Sequence, residues 1–284
     1  MTPIHTYILG IESSCDDTAA AVIKNGSILS NVVATQSIHK EYGGVVPELA
    51  SRAHQQNIVP VVQLALQKAN IDKKQLNAIA FTRGPGLMGS LLVGTSFSKS
   101  LAMGLEIPLI DVNHMQAHIL AHFIKSEAHT TPAFPFLALT ISGGHTQIVK
   151  VTNYFEMEII GQTLDDAVGE CFDKVAKFMG LSYPGGPALE KLAIGGDANA
   201  FILPKPLTKT KNCNFSFSGL KTSAIKIIGS HENTKVFQKD FAASFQKSIS
   251  NILEIKISNA IDLLDKGNIK VRDFSICGGV AANK

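Results

Sequence analysis

The chain has 284 residues, 45% hydrophobic, 17% charged and 7% aromatic, with a formal net charge of +3. At roughly 100 to 200 residues per domain, this length predicts two domains or one large one, and low charge with abundant Val, Ile and Leu excludes disorder. No apolar run reaches the roughly 18 residues that a bilayer crossing needs, and the start, MTPIHTYILGIE, lacks the features of a secretory signal. Cys15, Cys171, Cys213 and Cys277 are widely spaced with no C-x-x-C, which argues against a zinc knuckle or a disulfide framework. The expectation is a cytoplasmic protein with reduced, mostly buried thiols and no membrane partner. Charge is uneven: residues 1–200 carry 13 Lys+Arg against 17 Asp+Glu, a net of −4, and residues 201–284 carry 13 against 6, a net of +7. The basic third points to a phosphate-rich partner or to a solvated Lys-rich surface.

Tyr7–Glu12, Thr18–Lys24 and Ser27–Ala34 read as strands, the last two joined by Asn25-Gly26, a pair suited to a type I′ turn. Asp16 and Asp17 sit at the tip of the first turn. Residues 47–69 predict a helix with an apolar face at Leu49, Ala53, Val59, Val62 and Leu66. A buried strand at Ala78–Thr82 follows, then Gly84-Pro85-Gly86-Leu87-Met88-Gly89, a helix at Ser90–Met103 and a strand at Pro108–Val112. That glycine turn satisfies G-x-G-x-x-G, with Glu106 about 20 residues on. A dinucleotide domain opens with such a turn, whereas three strands and a long helix precede this one, so a loop that shapes the cleft is preferred. No G-x-x-x-x-G-K-[ST] occurs, which excludes a P-loop NTPase. Near His114 another helix starts, capped by Asn113, and His114 and His118 lie one turn apart on one face, a spacing that chelates a divalent metal. A zincin protease needs Glu after the first His, and Met115 stands there. Two ordinary polar helix residues remain the alternative for the pair, and His122 reads as an ordinary helix residue.

The pattern then restarts. Phe136–Ile141, Thr146–Val151 and Glu156–Ile160 predict a second meander, and LTISGGHTQIVKV (139–151) parallels LGIESSCDDTAAAV (9–22). Helices are expected at Asp165–Met179, Pro187–Ile194 and Lys239–Leu264, with a last strand at Val271–Cys277. Asp166, Glu170 and Asp173 at i, i+4 and i+7 share a predicted helix face, with Asp165 and Asp166 placed to favour its positive N-terminus and Asp173 a candidate ribose-binding carboxylate. Gly-rich turns at Ser142-Gly143-Gly144-His145 and at Cys277-Gly278-Gly279 read as anion nests suited to a nucleotide, and Tyr183-Pro184-Gly185-Gly186-Pro187 as a further tight turn, the alternative being small residues that only make tight turns. Two such halves predict an internally duplicated α/β protein with a cleft between domains 1–130 and 131–284.

In order, GIESSCDDTAAAV, YGGVVPELASRAH, GPGLMGSLLVG, NHMQAH, ISGGHTQIV, DDAVGECFDKVAK, YPGGP, FSFSGLKT and CGGVAAN closely resemble the bacterial tRNA N6-adenosine threonylcarbamoyltransferase family, formerly called O-sialoglycoprotein endopeptidase. The resemblance implies a two-domain actin-like/sugar-kinase/Hsp70 (ASKHA) α/β fold with duplicated mixed sheets. The implied reaction is transfer of the threonylcarbamoyl group of threonylcarbamoyl-AMP to N6 of the adenosine 3′ to the anticodon in ANN-decoding tRNAs. It further implies His114 and His118 as ligands of one divalent metal, iron or alternatively zinc. Adenylate contacts are implied at Thr140, Ile141, Ser142, Gly143, Gly144, Asp173, Gly186 and Asn283, and Asp16 is implied as a catalytic residue that orients the reaction. The implied partners are tRNA, a smaller paralogous (TsaB-like) subunit bound through the N-terminal domain, a P-loop ATPase (TsaE-like) subunit and the synthase that makes the adenylate. Family members continue past G-G-V-x-A-N with further elements and an Asp that is a third metal ligand, so the expectation for residues 1–284 is missing C-terminal elements, weak metal binding and little transferase activity. The alternatives are an ATP-dependent kinase of the same superfold and an inactive truncated scaffold.

Overall fold

The computed structural model describes residues 5–125 and 130–283; residues 1–4, where the stretch read for a secretory signal begins, and residue 284 lie outside the described residues. The chain divides into two compact units, Met1–Thr131 and Pro132–Lys284.

In the first unit β1 (Tyr7–Glu12), β2 (Asp17–Lys24) and β3 (Ser27–Thr35) form an antiparallel meander. Asn25 and Gly26 turn the chain at φ of 51° and 89°, the two left-handed conformations a type I′ turn requires. The short helix α1 (His39–Tyr42) precedes α2 (Pro47–Ala69), whose first residue is a proline, with no N–H to leave unpaired there. β4 (Ala78–Gly84), α3 (Met88–Leu105), β5 (Leu109–Asn113) and α4 (His114–Leu120) complete the unit. β4 runs parallel to β1 and β5 parallel to β4, so the strand order is β3-β2-β1-β4-β5. Leu9, Val22, Ile58, Val62, Ile79 and Phe81 lie in its core.

The apolar face expected on α2 is displaced. Its buried positions are Ala50, His54, Ile58, Val61, Val62 and Ala65, while Val59 is 47% exposed. Apolar residues on both flanks leave the period ambiguous by one step, and a histidine occupies a core position that a hydrophobicity count passes over.

The second unit repeats the plan. β6 (Phe136–Ile141), β7 (Thr146–Val151) and β8 (Met157–Gln162) form a meander. After them come α5 (Val168–Phe178), α6 (Gly185–Ala193), α7 (Ser218–Ser230) and α8 (Lys235–Lys266). β9 (Phe274–Cys277) returns parallel to β6, giving the order β8-β7-β6-β9. Four strands of each sheet therefore share one order and one set of directions, the duplication already visible in the two meander sequences. α5 starts three residues later than expected and β9 is shorter. α7 carries no strong periodic signal, since Ser218 and Gly219 in its first turn read as loop. Between α5 and α8, the Phe172 and Phe245 rings meet edge-on at 5.5 Å and Phe241 stacks on Phe245 at 6.2 Å, geometries that follow the ring quadrupole. Cys171, Cys213 and Cys277 are buried and Cys15 is exposed. Among the described residues no helix is long and apolar enough to cross a membrane.

Candidate functional site

Each unit presents candidate residues on the turn that opens its sheet. In the first unit the chain leaves β1 at Glu12 and passes through Ser13, Ser14, Cys15 and Asp16 into β2. Four hydrogen bonds from α2 and from the start of α3 hold this turn, and a fifth sets the ring of His54. Leu87 N–H donates to Ser14 O (2.8 Å), Ser13 Oγ donates to Ser90 O (2.9 Å) and Ser90 Oγ donates to Cys15 O (3.3 Å). From α2, the buried His54 donates from Nε2 to Cys15 O (3.0 Å), so its Nδ1 accepts from Thr18 Oγ1 (2.8 Å). A Cβ at Gly86 would stand 2.5 Å from Ser14 O, closer than any side chain is tolerated. The glycine turn that satisfies G-x-G-x-x-G thus carries the loop holding Ser14, which accounts for Gly86 by packing. Asp16 is half-buried at the tip of this turn, beside Asp17. Burial of its sulfur and then the charges of Asp16, Asp17 and Glu12 push the Cys15 thiol up to about 12; since Cys15 itself is exposed, the carboxylates are the firmer cause.

His114 and His118 stand on α4, whose first N–H groups at Met115 and Gln116 donate to the Asn113 side chain (2.9 and 3.2 Å). This is the cap expected from the sequence. The two imidazoles meet tip to tip, Nε2 to Nε2 at 3.1 Å, with rings edge-on at 4.6 Å. The other ring nitrogen of His114, Nδ1, lies 3.0 Å from Glu12 Oε2 and 3.3 Å from Ser14 Oγ. Glu12 also accepts from Thr82 Oγ1 (2.7 Å) and from the Ser14 N–H. Burial pushes the Glu12 carboxyl up, but the hydrogen bonds from His114, Ser14 and Thr82 outweigh it and hold it at about 2. A carboxylate on the far nitrogen of His114 fixes the tautomer of that ring and leaves its Nε2 lone pair turned toward His118 Nε2. Among the described residues no group of three or more His, Cys, Asp or Glu is arranged to hold a metal. The pair of imidazoles with its carboxylate support is a nitrogen donor set of the kind iron and zinc accept, so the residues fit such an ion with two protein ligands.

In the second unit, Ser142 to His145 turn β6 into β7. Ser142 N–H donates to His145 O (2.8 Å) and His145 N–H donates to Ser142 Oγ (3.1 Å). Gly143 and Gly144 are exposed, with no heavy atom within 4 Å of where a Cβ would stand, so the side of each that a side chain would fill is open. The first turn of α5 rests on this loop, with Gly169 N–H on Ser142 O (3.2 Å) and Val168 N–H on Thr146 Oγ1 (2.9 Å). A Cβ at Gly169 would fall 2.5 Å from Ser142 O, so glycine is required there. Thr140 is buried and its hydroxyl meets the Cys277 thiol at 3.3 Å, so its side chain faces β9. Ile141 and Asn283 line one cleft of about 360 Å³ together with Leu139, Phe172, Gln246 and Ile276. Asn283 Nδ2 donates to Glu190 Oε2 on α6 at 3.3 Å.

The acidic cluster is resolved differently from its sequence pattern. Asp165 and Asp166 precede α5, so no helical face joins Asp166 to Glu170 and Asp173. Asp165 instead accepts from the N–H groups of Phe217 (2.8 Å) and Ser218 (3.2 Å) and from Ser216 Oγ (2.5 Å), capping α7. Asp166 is paired with Lys221 and with Lys174 (3.3 Å). Asp173 accepts from Gly185 N–H at 2.7 Å and so anchors the start of α6. It therefore has a structural duty that the sequence did not disclose, next to Gly186, whose Cα faces open space. Glu12, Ser14, His54 and Thr82 were not singled out by sequence; Glu12 and His114 are 102 positions apart, and no local pattern encodes that approach.

A family model described as "tRNA N6-adenosine threonylcarbamoyltransferase" matches residues 27–284. Relatives bearing that name include one from Christiangramia forsetii, 62% identical over 97% of this chain and 81% of its own length, and one from Riemerella anatipestifer, 57% identical over 98% and 81%. Among solved structures, component A of the (R)-2-hydroxyglutaryl-CoA dehydratase of Acidaminococcus fermentans is similar in fold, with a TM-score of 0.52 at 16% identity, covering 99% of this chain and 85% of that one. The fold is that of the ASKHA class.

Proposed function

The chain belongs to the tRNA N6-adenosine threonylcarbamoyltransferase family, a family of transferases that modify tRNA, and from that premise we propose how its residues divide the work. The donor is threonylcarbamoyl-AMP, and the acceptor is N6 of the adenosine 3′ to the anticodon in ANN-decoding tRNAs. The N6 amine forms a bond to the carbamoyl carbon, the bond from that carbon to the phosphate oxygen breaks, AMP departs and the amine loses a proton. His114 and His118 would hold one divalent ion, iron in preference to zinc. When bound, it supplies Lewis acidity toward a carbonyl oxygen. Glu12 orients His114 through Nδ1, and Asp16, on a turn clamped by His54 and Ser90, orients the reacting groups. Thr140, Ile141, Ser142, Gly143 and Gly144 hold the phosphate and carbamoyl portion, Thr140 through its backbone. Asp173, Gly186 and Asn283 serve the nucleoside.

The observation that carries this reading is the tip-to-tip approach of His114 and His118 with Glu12 behind them, which a kinase does not need. A TsaB-like paralogue docks on the first unit, a reading supported by Met88, Leu92 and Met103, which are 72%, 56% and 77% exposed on α3. A TsaE-like P-loop ATPase and the synthase that supplies the adenylate complete the set of partners. The test is a thermal-shift titration with threonylcarbamoyl-AMP against ATP, with and without iron, alongside metal analysis of His114→Ala. Threonylcarbamoyl-AMP should raise the melting temperature more than ATP does, and His114→Ala should lose its metal. ATP-driven sugar phosphorylation indifferent to that substitution would instead establish the kinase reading.

A further inference from the structure

Outside the residues just described, the most unusual group in the second unit is Lys256 on α8, which is fully buried. Its ammonium is enclosed by oxygens of one loop: Leu207 O (2.7 Å), Asn212 O (2.9 Å), Asn212 Oδ1 (3.1 Å), Thr210 O (3.2 Å) and Thr210 Oγ1 (3.3 Å). Asn259, one turn further along α8, adds bonds from Nδ2 to Asn212 O (3.0 Å) and Thr210 O (3.2 Å). A buried ammonium is costly unless fully paired, and here the charge organises the polar atoms of a loop that has no regular structure of its own. The loop is tightly wound: Leu207 sits at φ 57°, a left-handed conformation rare for a leucine. Thr208 and Thr210 each donate a hydroxyl back to a carbonyl three residues earlier.

What this scaffold presents outward is positive charge. Lys205, Lys209 and Lys211 are exposed on it, and none of them makes an ion pair among the described residues. Between Asp197 and Glu232 the sequence has no acidic residue, so no carboxylate of this stretch competes for them. Lysines spaced on a rigid loop, with their charges uncompensated, suit a row of phosphates.

We propose that the loop of residues 205–212 is a docking surface for the phosphate backbone of the tRNA substrate, held in shape by the buried ammonium of Lys256. Lys205, Lys209 and Lys211 contact phosphates without reading bases, and Lys256 acts on the RNA only through the loop. The inference rests on the transferase reading above, and the two fail in different ways. The experiment measures binding of an ANN-decoding tRNA transcript to the full chain at several salt concentrations. The double variant Lys209→Glu, Lys211→Glu changes two exposed side chains that take no part in the Lys256 contacts. It should bind about tenfold more weakly, with the slope of log affinity on log salt shallower by about 2. Lys256→Met should weaken tRNA binding while leaving every exposed lysine in place, and raise protease cleavage within 205–212; if it does not fold, the surface variant decides. Unchanged affinity and salt slope in the double variant, in a chain that threonylcarbamoyl-AMP still stabilises, would overturn the docking surface alone. No stabilisation by threonylcarbamoyl-AMP would overturn the transferase reading beneath it. If affinity falls but the salt slope does not change, the lysines do not meet phosphates, and the proposal is equally lost.

Discussion

Cys15 shows how one residue's chemistry is set by its neighbours. It is an exposed cysteine, which by exposure alone would be the reactive thiol of the chain. Its thiol is raised to about 12 by burial of the sulfur and by Asp16, Asp17 and Glu12 around it. The thiolate is the nucleophile, and losing it is only partly offset by the greater nucleophilicity of a more basic sulfur. Iodoacetamide at pH 8 should therefore alkylate Cys15 roughly tenfold to a hundredfold more slowly than a free cysteine. Asp16→Asn should accelerate the reaction. Mass-spectrometric kinetics showing Cys15 labelled as fast as free thiol would refute the electrostatic account. Only the contributions of Asp16 and Asp17 are visible in the tetrapeptide Ser14-Cys15-Asp16-Asp17, because Glu12 and the desolvating atoms of the turn act through space.

At the scale of elements, Asp165 and Asp166 join α5 to α7. The sequence places them at the start of α5, where the helix dipole would favour them; in the fold they precede that helix, Asp165 capping α7 and Asp166 pairing with Lys221 of α7 and Lys174 of α5. Burial pushes the Asp166 carboxyl up, but hydrogen bonds from Lys221 and Lys174 dominate and lower its pKa from 3.8. A carboxyl depressed in the folded state contributes stability that is complete above its unfolded value near 3.8 and is lost as pH falls through the lower folded value. Lys221→Met removes the closer partner and raises the folded pKa, so part of that contribution disappears. The variant should begin to unfold at a higher pH than the parent in an acid titration between pH 5 and 2, followed by circular dichroism. Coincident acid transitions would show that the pairing adds nothing to stability. The same scale separates the elements sequence could and could not locate. β1, β6 and β7 match their expected bounds residue for residue, and α2 does the same, because period-two alternation and the Asn-Gly turn mark strands locally while Pro47 starts a long helix. α7 carries no local mark of its start, because its first turn is stabilised by a carboxylate more than 50 positions earlier.

Across the whole molecule, each unit closes its own core: one is centred on Leu9, Val22, Ile58 and Phe81, the other on Phe136's neighbours Leu137 and Leu139 with Phe172, Phe241 and Phe245. Phe245→Ala should cost about 3–5 kcal/mol, the lost transfer energy plus a cavity. Because the residues of the two cores are distinct, amide exchange should rise across β6, β7 and β9 and stay unchanged across β1, β2 and β4. Equal loss of protection in both sheets would mean that the units unfold as one.

From the sequence by itself came the duplicated α/β plan, the family resemblance, the His114/His118 spacing and the Asn113 cap. These depend on short-range periodicity, turn chemistry and motifs, which are properties of neighbouring residues. The tertiary structure alone decided that Glu12 stands behind His114, that His54 and Gly86 secure the Asp16 turn, that Asp173 anchors α6 and that Lys256 gathers a loop around its charge. Each of these joins residues remote in sequence or depends on burial, and desolvation and hydrogen-bond geometry take their values only once packing has brought the groups together.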